Sequence, residues 1–189
     1  NQGGAIYSAY WGTDLVLKKC TFLENHSSSG GGAILADRGS LEASNCTFTG
    51  NVSSDDGGAI KNGGQLNLSN CIFSGNISSD DGGALYNLSS STEASNCTFT
   101  GNISNGEGGA IWAYGGSTEV SNCTFSDNRA RSRGGAIHGH SSSFTAKQCM
   151  FSNNRSFYYG GAIYSIGATK TSHSVTVNDC TFTDNGSSL

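Results

Sequence analysis

Proline is absent from the 189 residues, methionine occurs once, and only 13% of the residues are charged. Glycine is abundant, with 28 residues, but it follows no Gly-X-Y period, which excludes collagen. The scarcity of charge excludes a charge-extended disordered tail. Ten Lys and Arg against 14 Asp and Glu leave a net charge of −4, so no nucleic-acid partner held on a basic face is expected. No apolar run approaches the roughly 18 residues of a membrane span, and no membrane insertion is expected. The chain opens at Asn1 without a basic-then-apolar leader and reads as a processed form, a fragment or an incomplete sequence. No P-loop, GxSxG or ordered Ser-His-Asp set is present, so neither a catalytic residue nor a cofactor is implied.

What is present is repetition. The tetrad Gly-Gly-Ala-Ile/Leu recurs with its alanine at Ala5, Ala33, Ala59, Ala84, Ala110, Ala136 and Ala162. All seven cysteines lie in a second motif, at Cys20, Cys46, Cys71, Cys97, Cys123, Cys149 and Cys180. Two residues after each comes Phe22, Phe48, Phe73, Phe99, Phe125, Phe151 or Phe182, and three further on Asn25, Asn51, Asn76, Asn102, Asn128, Asn154 or Asn185. The step from each Cys to the next Ala is always 13 residues, whereas the step from Ala to Cys ranges from 12 to 18. One half of the unit is fixed in length and the other takes the insertions.

The segments are short and alternate with period two, as in Leu66-Asn67-Leu68 and Cys97-Thr98-Phe99, and none carries a 3.6-residue spacing. Short strands between turns, repeated in register, predict an all-β fold. It is a single-stranded, right-handed parallel β-helix of about seven coils, one solenoid domain over residues 1–189. Coils about 4.8 Å apart would make a rod roughly 34 Å long. Cys and Phe form inward ladders, joined by Leu41/Ala43, Leu66/Leu68 and Thr118/Val120. At the Ser-Asn steps ending in Asn45, Asn70, Asn96 and Asn122 the inward parity switches, so the chain must bend. Asn tolerates bent backbone and its stacked amides can hydrogen-bond from coil to coil. The Asn after each Phe is expected to repeat that device at the next corner.

With GGA[I/L] and FxxN in every unit, for instance Gly57-Gly58-Ala59-Ile60 and Phe73-Ser74-Gly75-Asn76, the chain resembles the polymorphic membrane protein repeats of Chlamydia and related outer-membrane repeats. The resemblance implies a β-helical autotransporter passenger, placed extracellularly or at the cell surface, that acts as an adhesin and can self-associate.

Several features point to chemistry. No CxxC or Cys/His ligand spacing supports zinc. In-register parallel strands orient stacked cysteines alike, which strains a disulfide, so a ladder of buried free thiols is preferred over bridges. Asp55, Asp56, Asp80, Asp81 and Glu107 fall on neighbouring turns. Asp56, Asp81 and Glu107 are weak candidate Ca²⁺ ligands or carbohydrate-active carboxylates, against a plain solvated turn. Further along, the turn becomes basic at Arg129, Arg131 and Arg133, then aromatic at Phe157, Tyr158 and Tyr159, which marks a contact surface. The column Tyr7, Leu35, Lys61, Tyr86, Trp112, His138, Tyr164 is an aromatic strip suited to surface glycans or a cell-surface protein if it faces outward, and core if it faces inward. Thr47/Thr49, Thr98/Thr100 and Thr181/Thr183 resemble an ice-binding array, interrupted by Leu23, Ile72 and Met150. Sequons at Asn25, Asn51, Asn67, Asn76, Asn87 and Asn102 permit glycosylation without requiring it.

Joining tail to head would place Cys180 fourteen residues before Ala5 of a following copy, against the usual thirteen. The expected function is therefore a non-enzymatic, extracellular structural or adhesive rod. It stacks head to tail with itself or forms part of a longer surface passenger, with Tyr10, Trp11, Phe157, Tyr158, Tyr159 and Phe182 as candidate interface. A carbohydrate-active or carbohydrate-binding β-helix is the alternative, and ice binding a third reading.

Overall fold

The computed structural model describes residues 2–9, 12–88, 90–140, 143–167 and 173–188. Alternating segments too short for helices become strands of two to five residues, and these stack into four parallel seven-stranded sheets. The first sheet runs from Ile6–Ser8 to Ile163–Ile166 and holds the Ile/Leu of the tetrad. The second runs from Leu15–Lys18 to Ser174–Asn178, and the third, with the phenylalanines, from Thr21–Leu23 to Thr181–Thr183. The fourth, from His26–Ser27 to Gly186–Ser187, has strands of two residues. Each coil gives one strand to each sheet, and the fold is a right-handed parallel β-helix.

Repeats pair like with like: Phe73 opposes Phe48 and Phe99, and Ile77 opposes Ile103. Successive Phe rings lie 4.8–4.9 Å apart with planes within 5° of parallel. Sheets ordinarily twist by some 20° per strand, and flat ones need side-chain ladders to hold them. Here the ladder is the core itself. The tetrad Ala and Ile/Leu, the Cys and the Phe of the middle coils are buried, together with Leu41, Ala43, Leu66, Leu68 and Val120. Burying one of the Leu, Ile, Val or Phe side chains contributes about 1.5–3 kcal/mol.

The two asparagine columns divide the work that sequence assigned to both. Asn45, Asn70, Asn96 and Asn122 carry the bend, with φ between +51° and +54°, and stand outside the core. The Asn after each Phe is instead buried in the middle coils, from Asn51 to Asn154, and the left-handed residue is the one before it, as at Gly101 (φ +64°). Its amide forms the ladder: Nδ2 of each Asn from Asn25 to Asn154 donates to Oδ1 of the next at 2.9–3.0 Å. The reason is geometric. At the first corner the side chain points away from the axis, and at the second it points down the column. The glycine pair has two duties as well. Gly82 has φ +66°, and a Cβ on Gly83 would lie 2.0 Å from the carbonyl oxygen of Gly109 in the next coil.

Candidate functional site

The wall of the first sheet settles the parity of the aromatic column. Leu85 and Asn87 point into the core and are fully buried, so Tyr86 between them points outward. Its column, with Lys61, Trp112, His138 and Tyr164, is nonetheless covered, because the turn preceding the tetrad folds back over this face. Asp55, Asp56, Asp81, Glu107, Arg133 and Tyr159 come from that turn. Tyr86 and Trp112 stack at 4.4 Å with planes 1° apart, and Lys61 Nζ lies 5.2 Å from the Tyr86 ring centre. His138 meets Tyr164 edge-on at 5.1 Å, and Arg133 lies over both Tyr164 and Tyr159.

Asp55, Asp56, Glu107 and Arg133 of the turn are ion-paired within this cluster. Lys61 Nζ sits 2.8 Å from both Asp55 Oδ2 and Asp56 Oδ2. His138 Nδ1 lies 2.6 Å from Glu107 Oε2, and Arg133 Nη1 lies 3.1 Å from Glu107 Oε1. The backbone N–H of Asp81 donates to Asp56 Oδ1 at 3.3 Å, and that of Glu107 donates to Asp81 Oδ1 at 2.7 Å. Burial pushes the Glu107 carboxyl up, but His138 and Arg133 outweigh it and hold the group below its usual range. Among the described residues Asp81 forms no ion pair. Burial, with the charges of Asp80, Glu107 and Asp56, raises it to about 6 despite the Glu107 N–H. Burial lifts the Tyr86 phenol to about 12.

Of the three weak calcium candidates, none stands with the other two as a free ligand set. Asp56 is paired with Lys61, Glu107 with His138 and Arg133, and Asp81 caps a backbone amide. The carboxylates that do come within 4.8 Å of one another are Asp55, Asp56 and Asp80. The Lys61 ammonium pairs with Asp55 and Asp56 of this trio, and Asp80 is exposed. The middle of the aromatic strip is likewise occupied. Tyr86 and Trp112 give their faces to each other, and Trp112 is 9% exposed, while Tyr7 at the start of the strip is 46% exposed. The cluster is a small second core outside the wall that fastens the turn to it.

The remaining candidates fall in three places. Phe157, Tyr158 and Tyr159 are exposed on the turn of the sixth coil. Tyr10 and Trp11 lie outside the described residues. Phe182 belongs to the seventh coil, where the inward columns are open: Val175, Val177 and Phe182 are 52%, 43% and 46% exposed, while Phe144, Ala146 and Phe151 beneath them are fully buried. The seven cysteines are unbridged. Cys97 Sγ donates to the Ser95 carbonyl at 3.2 Å, and the Cys71 N–H donates to Cys97 Sγ at 3.4 Å. Burial raises the Cys46 thiol, which keeps it protonated and unreactive. The sequon residues Asn51, Asn76, Asn87 and Asn102 are fully buried and present no amide to a glycosylating enzyme. Sequence reasoning missed Arg155, which continues the basic column begun by Arg129. The signal was its place one residue after Asn154, matching Arg129 after Asn128.

No curated protein and no solved structure matches the chain significantly. The architecture has a counterpart at the level of family: residues 4–182 match the family described as right handed beta helix region, and the chain belongs to it.

Proposed function

We propose that the protein is a non-enzymatic structural rod, placed extracellularly or at a cell surface, whose coils are continued either head to tail by a second copy or by further coils of a longer surface passenger. Right-handed β-helices include enzymes and non-enzymes, so membership does not choose between them and the site must. Here the acidic and aromatic residues that would have made a catalytic groove are consumed in fastening the turn. The observation that carries the rod reading is that pairing, of Asp55 and Asp56 with Lys61, of Glu107 with His138 and Arg133, and of Tyr86 with Trp112. In the seventh coil the exposed layer of Val175, Val177 and Phe182 favours another β-coil above it, from a second copy or from the same passenger. The two ends also match in polarity. Asn185 Nδ2 donates to the Phe151 carbonyl and has a second hydrogen to give, while Asn25 Oδ1 accepts nothing among the described residues. Stacking would join the two amides and extend the ladder. Such a joint is heterologous and does not close, so it builds filaments. The surface placement, as an adhesive passenger, rests on the likeness to outer-membrane repeats.

Sedimentation velocity over a concentration series, with electron microscopy of the same samples, tests this. The wild type should form concentration-dependent rods, and Phe182→Glu with Val175→Glu should give folded monomers. A wild-type chain that stays monomeric at high concentration refutes the head-to-tail stacking and leaves the longer passenger.

A further inference from the structure

On the fourth sheet, the outward column is apolar at Ile77 and Ile103 and becomes basic at Arg129 and Arg155. Two residues further along the chain, Asn105, Arg131 and Phe157 form a parallel column. Between the two columns lies a groove of about 750 Å³, bounded by Ile103, Asn105, Arg129, Arg131, Arg155 and Phe157. Arg129 and Arg155 are register partners on adjacent strands, about 4.8 Å apart. Like charges placed directly opposite destabilise a sheet. Among the described residues no carboxylate forms an ion pair with Arg129, Arg131 or Arg155, although the chain carries 14 acidic residues against ten basic ones. The repulsion is therefore left standing at one groove of an otherwise acidic molecule.

We propose that this groove binds a sulfated polysaccharide. Guanidinium groups recognise oxyanions through paired, charge-assisted hydrogen bonds. A tetrahedral sulfate ester turns three oxygens outward and can bridge two stacked guanidiniums, whereas a planar carboxylate offers one bidentate edge and suits a single arginine. Phe157, 47% exposed at the rim, and Ile103 provide apolar surface for the C–H face of a sugar ring. Elsewhere the rod is acidic, with Glu42, Glu93 and Glu119 on the second sheet, which repels a densely charged, stiff duplex. A narrow single chain lying along one groove meets the arginines and stays clear of the acidic second sheet. The groove is on the side of the rod, so it is present whether or not the ends stack.

Titration with heparin, hyaluronate and dextran at fixed ionic strength tests the assignment. Heparin should bind, weaken as salt is raised, and lose tenfold or more in affinity in Arg129→Gln/Arg155→Gln. Arg38→Gln, outside the groove, should bind as the wild type does. The double variant should melt at or above the wild-type temperature, because it relieves a like-charge pair, and this separates lost binding from lost folding. Hyaluronate should bind at least tenfold more weakly and dextran not at all. Heparin affinity unchanged in the double variant, or equal affinity for hyaluronate or single-stranded DNA, overturns the proposal.

Discussion

Asn102→Ala probes the amide ladder at its centre. Oδ1 of Asn102 accepts from the backbone N–H of Asn76 at 3.0 Å and from its Nδ2 at 2.9 Å. Nδ2 of Asn102 donates to Asn128 Oδ1 and to the Phe73 carbonyl, both at 3.0 Å. Alanine removes all four bonds. Asn128 Oδ1 keeps the Asn102 N–H, but two buried donors on Asn76 are left without acceptors. At about 1–3 kcal/mol for each orphaned donor, the loss should be near 4 kcal/mol. Asn25→Ala, at the ladder's end, forfeits one donation to an oxygen that retains a second donor, and should cost about 1 kcal/mol. Asn96 separates the two corners. It sits at φ +53° and is exposed, so Asn96→Gly should be nearly neutral, since glycine enters that region freely, while Asn102→Gly should be as damaging as alanine. Asn102→Asp adds a pH test. A buried carboxylate facing Asn128 Oδ1 and the Phe73 oxygen has its folded pKa raised above the unfolded value. The variant's deficit should therefore deepen as pH rises through about 4 and shrink below it. Urea midpoints at constant m-value read all of these. Equal losses at Asn102 and Asn25, or a loss at Asn96→Gly matching that at Asn102→Gly, would falsify the ladder.

Phe99→Ala should cost about 3–5 kcal/mol as a buried aromatic truncation, and Thr98→Ala, on the outer side of the same strand, well under half of that in the same denaturation experiment. Asp81→Asn should stabilise the protein at pH 7. With a folded pKa of about 6, the carboxyl costs stability as pH rises from about 4 through 6. The full shift is worth about 3 kcal/mol, and partial exposure reduces the expected gain to about 1 kcal/mol. Gly83→Ala drives a methyl into the Gly109 carbonyl and should cost about 3 kcal/mol, the upper end for overpacking, whereas Gly75→Ala, with open space around it, should cost only its left-handed φ. Under denaturing, non-reducing conditions a thiol reagent should count seven thiols. Natively, Cys20 and Cys180 should react before the buried five, and a denatured count near one would establish three bridges.

Much of this was legible because the repeat is in register. Columns of Cys and Phe, with pairs such as Leu66/Leu68, could be read as inward from alternation alone, and the structure buries them in the middle coils. The fourth sheet was not legible. Its strands, such as Ile103–Ser104, are two residues long, too short for any period to register, and its outward column changes from Ile to Arg partway along. The parity of the Tyr86 column was hidden for another reason. The folded-back turn buries the outer face of the wall, so residues there have core-like identities while pointing away from the axis. The two asparagine corners looked alike because bending and amide stacking favour the same residue. Only the direction of the side chain tells them apart.

The alignment of hydrogen bonds along the rod, coil to coil, has a mechanical consequence. Pulling on the two chain ends does not shear the sheets as a block. It peels the outermost coil, opening its bonds one after another at low force. Each coil contacts only its neighbours, so the next one then becomes the new end. In the middle coils each step frees the 25 or 26 residues between equivalent ladder positions, about 90 Å of extended chain, and the last coil frees 31. Such a rod lengthens under load in nearly equal increments, and any coils still wound remain a template on which the slack can rewind.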